Sequence, residues 1–274
     1  MIKRSVYILL FIIFCISSLL PLYWVVKTSL TDEYQMFQNP PELVPSEPVF
    51  KNYIKLFNKI PFFRYLLNSL IYSIGAAVVS VFFGFLAAYV FARIKFRGSN
   101  IVFLIFLLST ALPQMLTLIP LFEVFNRLKL VNTYHGMIIL LSSTVLPFTV
   151  WIMISFIRQI PYEIEEAAIV DGASQFTVIM KIIFPLALPG FAAMMILNFI
   201  ASWNELLYPL IFTTSRNFKP FSVVLGEIIY ASTTFGRPWD LITSLTTIMI
   251  IPPILMVLLF QRFIISGLTR GSIK

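Results

Sequence analysis

The chain is poorly supplied for acid–base, nucleophilic or metal chemistry. Its 274 residues include 12 acids, one histidine (His135) and one cysteine (Cys15). A lone cysteine forbids an internal disulfide, and one His with one Cys cannot furnish a zinc-type ligand set. No nucleophile with a base and an orienting third group is visible, and no G-x-x-x-x-G-K-[ST] phosphate loop is present. The patterned polar residues are of two other kinds. Four of the acids (Glu163, Glu165, Glu166 and Asp171) fall in one segment, Arg158–Lys181. Polar residues also recur at helical spacing inside apolar stretches: Asn198, Ser202 and Glu205 at i, i+4, i+7, and Thr110, Gln114 and Thr117 likewise.

The elements that must position these residues are membrane spans. Apolar residues make up 59% of the chain and charged residues 12%, about half the charged share of a soluble domain, and mean hydropathy is +0.91. So few charges cannot cover a water-soluble surface, which excludes a soluble enzyme and a disordered chain. The predicted fold is an all-α integral membrane protein, one membrane domain over residues 1–274. Its six spans fall near Ser5–Val26, Leu66–Ala92, Ile101–Phe122, Gly136–Ile157, Ile182–Phe212 and Leu241–Phe260, each meeting the roughly 20 apolar residues a crossing needs. The first is too long for a secretory signal core and lacks a small-residue cleavage site, so it reads as an uncleaved helix.

Six spans place both termini on one side, and the charges suggest the cytoplasm. Ten of the 20 basic residues fall on each side, but the inner segments are shorter, and Arg93, Lys95 and Arg97 crowd one tight loop. The pI near 9.6 therefore reflects membrane topology rather than nucleic acid. Thr31–Arg64 becomes a proline-rich outer loop, and residues 158–181 form the only sizeable inner one.

Within that inner loop, Pro161 suits a first helical position and the glutamates suit the first turns, where the helix dipole favours negative charge. Gly172 suits a left-handed residue just past the helix end, and Ser174 a cap on a second helix. Ile164, Ala167, Ala168 and Asp171 share one face, where alanines admit a close backbone and neighbouring glutamates can pair with a partner's Arg or Lys.

Glu166-Ala167-Ala168, then Gly172, then Ile182-x-Phe184-Pro185, at fixed spacing, strongly resembles the EAA-x3-G-x9-I-x-L-P loop of ABC-importer permeases. Phe184 stands where Leu is usual, which keeps apolar bulk there. Together with Ser202-Trp203-Asn204-Glu205 and the ending Gln261-Arg262-Phe263…Gly267-Leu268-Thr269-Arg270-Gly271, the whole chain is similar to the smaller permease subunit of maltose-type carbohydrate importers. That resemblance implies a type I importer in the cell (inner) membrane: two homologous permeases, two cytoplasmic ATPase subunits and an extracytoplasmic binding protein. ATP and Mg would be bound by the ATPases, with no cofactor in this chain. Glu165, Glu166, Ala167, Ala168, Asp171 and Gly172 become the ATPase-coupling residues, and the tail would reach between the ATPases.

Two readings remain for the polar stripes. They are interhelical hydrogen bonds, or they line a wet path whose sugar needs hydroxyl, amide and carboxylate partners. Trp203 reads as an interfacial anchor. A rival function is a secondary carrier driven by an ion gradient. It predicts an acid near the membrane midplane, whereas Glu205 falls about 34 Å along a straight fifth span at ~1.5 Å per residue.

Overall fold

The computed structural model describes residues 2–45, 47–231 and 236–270, with side chains over 6–45, 47–231 and 236–263. The side chains of Lys3, Arg4 and the ending 267–270, and the whole of Gly271, lie outside what the structure describes. The fold is all-α. In chain order, α1 runs Ile2–Ser29, α2 Lys51–Lys59, α3 Phe62–Arg93, α4 Ser99–Leu108, α5 Gln114–Arg127 and α6 Tyr134–Arg158. Then come α7 Tyr162–Val170, α8 Gln175–Leu186, α9 Leu188–Asn204, α10 Leu207–Phe212, α11 Phe221–Tyr230 and α12 Trp239–Arg270.

Among the described residues, four helices are long and apolar enough to cross a membrane unbroken: α1, α3, α6 and α12. The third and fifth expected spans are bent pairs. Ser99–Ala111 and Gln114–Arg127 meet at 101°, and Gln175–Leu186 and Leu188–Asn204 at 74°. Counting each pair as one crossing restores six. The first break sits at Leu112, extended at ψ 127 before Pro113, as steric conflict with a proline ring demands. The second follows from Pro185 and Pro189, each of which removes a helix donor, flanking Ala187 at ψ 0. The expected straight span Ile182–Phe212 is thereby corrected: α9 stops at Asn204 and a separate short helix follows.

The chain forms two compact units, Met1–Arg64 with Val223–Pro252 and Tyr65–Ser222 with Pro253–Lys274. In the first, the proline-rich loop is tied to the end of α1. Asn52 donates to the carbonyls of Ser29 (3.0 Å) and Thr31 (2.9 Å), and Val49 N–H to Leu30 O (2.8 Å). Lys55 donates to Asp240 at 2.5 Å, and that bond holds its ammonium above the ordinary lysine range. In the second unit, Tyr72, Leu118, Phe125, Met137, Leu141 and Phe212 form a buried core where α3, α5, α6 and α10 meet. Small residues bring α3 and α6 together. A Cβ on Gly75 or Gly84 would lie 2.7 Å from Ile138 Cδ1 or Thr149 Cγ2, respectively. Lipid chains are as apolar as leucine, so close backbone approach and hydrogen bonds, rather than water exclusion, hold such helices together.

Candidate functional site

Residues 158–181 fold as a short helix, a turn and a second helix. Pro161 stands one residue earlier than expected, as the residue before α7, and Tyr162 opens the helix. Glu163 and Glu165 lie in its first turn. At its end, Gly172 N–H donates to Ile169 O (3.0 Å) and Ala173 N–H to Ala168 O (2.9 Å). This paired closure requires a left-handed residue, and Gly172 has φ +84. A Cβ there would meet nothing within 4 Å, so the demand for glycine comes from the backbone alone. Ser174 caps α8 by accepting from Thr177 N–H at 3.3 Å. Phe184, the departure from the expected Leu, packs edge-on against Phe85 (centroids 5.7 Å) and Phe191 (5.1 Å).

The glutamates of α7 divide sharply. Glu166 is exposed, as are Ile164, Ala167 and Asp171 of the expected face, with Ala168 half-buried. Glu165 faces inward and is 2% exposed. Arg93 Nε donates to its Oε1 at 2.5 Å, Tyr89 OH to its Oε2 at 2.9 Å, and Arg93 Nη2 to Ile160 O at 2.7 Å. The expectation that Glu165 offers its charge to a partner protein is corrected, because that carboxylate is already paired inside the chain. Tyr89 and Arg93 were not expected as site residues. Their i, i+4 spacing at the end of α3 is the signal that could have found them. Around the lock, Tyr162, Ile169, Val170 and Phe176 present apolar side chains to the outside, Val170 at 86% exposure.

The polar stripes fare differently. Asn198 is buried and donates to Ser80 Oγ and Thr149 Oγ1, both at 2.8 Å, joining α9 to α3 and α6. Its environment is a closed hydrogen-bonded knot rather than a wet cavity. Ser80 and Thr149 were missed, although Ser69, Ser73 and Ser80 mark one small-residue face of α3. Ser202, one turn on from Asn198, is buried with its Oγ lacking a partner among the described residues. Glu205 leaves the stripe altogether. It is extended, and its Oε1 accepts from Leu207 N–H (2.9 Å) and Tyr208 N–H (3.5 Å), capping α10. The second stripe is also broken: Thr110 and Gln114 lie on opposite sides of the 101° bend, both exposed. Thr117 is half-buried and shares a hydrogen bond with Tyr208 OH at 3.2 Å. Trp203 is no interfacial anchor. It is 3% exposed, stacked on Phe199 (5.6 Å) and edge-on to Phe221 (6.4 Å).

Comparison with known proteins agrees with this arrangement. The chain is 32% identical to the trehalose/maltose transport system permease protein MalG of Thermococcus litoralis, over 99% of this chain and 97% of that one. It is 34% identical to the trehalose transport system permease protein SugB of Mycobacterium tuberculosis, over 94% and 93%. Among solved structures, a bacterial ABC transporter involved in alginate import has the same fold, with TM-score 0.81 and 22% identity over 95% of this chain and 96% of that one. Residues 80–270 match the family described as the binding-protein-dependent transport system inner membrane component. With the loop turn, the bent spans and this match in agreement, the chain belongs to that family: it is a multi-pass permease subunit, a transport component and not an enzyme.

Proposed function

We propose that this permease carries a sugar or oligosaccharide inward as half of a translocation path, beside a homologous second permease. Of two cytoplasmic ATPase subunits, one docks on α7 of this chain and the other on the second permease, and an extracytoplasmic binding protein delivers the substrate. The observation that carries the reading is the two-sided character of α7. Glu166, Ile169 and Val170 are offered outward, with Phe176 of α8 beyond the turn, while Glu165 ties α7 to α3 from behind. A helix so held transmits a push into α3 as a rigid body, and through α8 into α9. Nucleotide-driven closure of the ATPases then biases the gate by differential binding to one state. Curated relatives named for trehalose and maltose support the substrate class. The charge pattern supports cytoplasmic termini.

The test is purification. Two ATPase subunits should leave the membrane with this chain, and a sugar-loaded binding protein should raise their ATP hydrolysis. With Cys15 replaced, single cysteines at the exposed positions 95 and 97 should resist an impermeant thiol reagent in intact cells, while those at exposed positions in 31–64 react. Absence of ATPase subunits, or the reverse labelling, rejects the corresponding part.

Gln114 and Asn198 separate path from packing. Gln114 is exposed at the start of α5, so Gln114→Leu should reduce uptake with assembly intact. Asn198→Leu removes two buried interhelical bonds, at a cost of about 1–2 kcal/mol. It should therefore lower the melting temperature by a few degrees, roughly 2–4 °C per kcal/mol in a chain this size. Unchanged uptake in the first variant would remove Gln114 from the path. An unchanged melting temperature in the second would deny Asn198 its packing role.

A further inference from the structure

At the carboxyl end of α1 a cavity of about 330 Å³ opens beside the first turn of α12. Trp24, Lys27, Phe37, Pro41, Trp239 and Thr243 line it, and all lie within the first compact unit. Lys27 is the unusual member. It is 6% exposed, yet no hydrogen bond or ion pair reaches its ammonium among the described residues. Two acids of the same unit are drawn to another lysine: Asp240 Oδ2 holds Lys55 at 2.5 Å, and Glu33 lies 3.9 Å from the same ammonium. Among the described residues the ammonium meets the Trp24 ring, whose centroid is 5.2 Å from Nζ.

A ring face offsets only part of what it costs to take an ammonium out of water. Lys27 is itself one of the residues that line the cavity, which sets its ammonium beside whatever fills it. The hydroxyls of Thr28 and Thr243 already donate to Trp24 O (2.8 Å) and Trp239 O (2.7 Å), so the ammonium is the charged donor at the cavity. The setting is therefore a buried cation between two half-open indoles, awaiting an anion with apolar substance attached.

Depth in the membrane selects that anion. The cavity joins the end of one membrane-crossing helix to the start of another, which is where lipid headgroups lie. Just below it, Leu20 and Tyr23 of α1 are exposed, and acyl chains would run along them. We propose that the cavity holds the headgroup of an anionic phospholipid, with Lys27 Nζ donating to phosphate oxygens and Trp24 and Trp239 covering the glycerol region. A phosphate–ammonium pair in such a site is a charge-assisted bond, stronger than the same contact in water.

The test uses the whole purified complex in nanodiscs of phosphatidylcholine with a minor share of phosphatidylglycerol, followed by native mass spectrometry of retained lipid. Wild type and Lys27→Arg should retain phosphatidylglycerol, and Lys27→Met should retain about tenfold less, the loss expected for one charged hydrogen-bond donor. Lys27→Met keeps the apolar stem, and an unchanged melting temperature in detergent would show that it is folded. Equal retention in Lys27→Met, or equal retention of phosphatidylcholine by wild type, overturns the proposal. Displacement of the lipid by inorganic phosphate alone assigns the cavity to a free anion and overturns it equally.

Discussion

Uptake is expected to collapse in the Glu166→Lys, Gly172→Val double variant, while the amount of membrane-inserted protein stays normal. Both positions are exposed and outside the spans, so insertion has no reason to fail. Lysine at 166 sets positive charge against a partner that answers a glutamate. Losing a docking residue of that kind costs about 2 kcal/mol or more. Valine at 172 must adopt the φ of +84 that glycine accepts, at about 1–2 kcal/mol, or else rebuild the turn that aims α7 relative to α8. Together these weaken docking on the order of 100-fold. The ATPase subunits should be lost on purification, and substrate-stimulated hydrolysis with them. Measuring uptake in cells lacking the ATPase subunits completes the test, since full uptake there would make this chain a self-sufficient carrier.

The second large effect is expected behind the same helix. Arg93→Met leaves the Glu165 carboxylate buried with only Tyr89 to answer it. Removing one partner of a buried pair costs about 3–5 kcal/mol, which should lower the melting temperature of the purified complex on the order of 10 °C. Replacing both members, Arg93→Met with Glu165→Met, removes the orphaned charge and should recover most of that loss. Transport should stay impaired in the double variant, because α7 is no longer tied to α3. Recovery of stability without recovery of coupling is the signature of a positioning pair. Full recovery of both would reduce it to a packing contact, and a loss below about 2 °C in the single variant would deny the tie altogether.

The sequence determined what depends on composition and on near neighbours. Too few charges for a water-exposed surface made this a membrane protein, and the left-handed turn at Gly172 and the Ser174 cap were readable because each is settled within one or two helical turns. The spacing from Glu166 to Pro185 carried the family for the same reason. Pro113 and Pro120 stood out as possible bends in the third span, but the sequence does not say how far a chain bends at a proline. That is decided by what packs alongside: Gly190 lies so close to Phe156 of α6 that a Cβ there would fall 2.5 Å from its ring.

Only the tertiary structure decided which polar and aromatic residues face inward. Glu165 and Glu166 are adjacent in the chain and equivalent in composition. Arg93, 72 residues away, claims one and leaves the other outside. Asn198 was on a stripe that could have lined water, until Ser80 and Thr149 closed around it. Trp203 is covered by Phe221, from another element, as much as by its own helix. In a soluble protein the apolar face of a helix points to the core. In a span, lipid and core are both apolar, so hydrophobic pattern loses its direction. The facing of each helix is then set by contacts between residues distant in sequence.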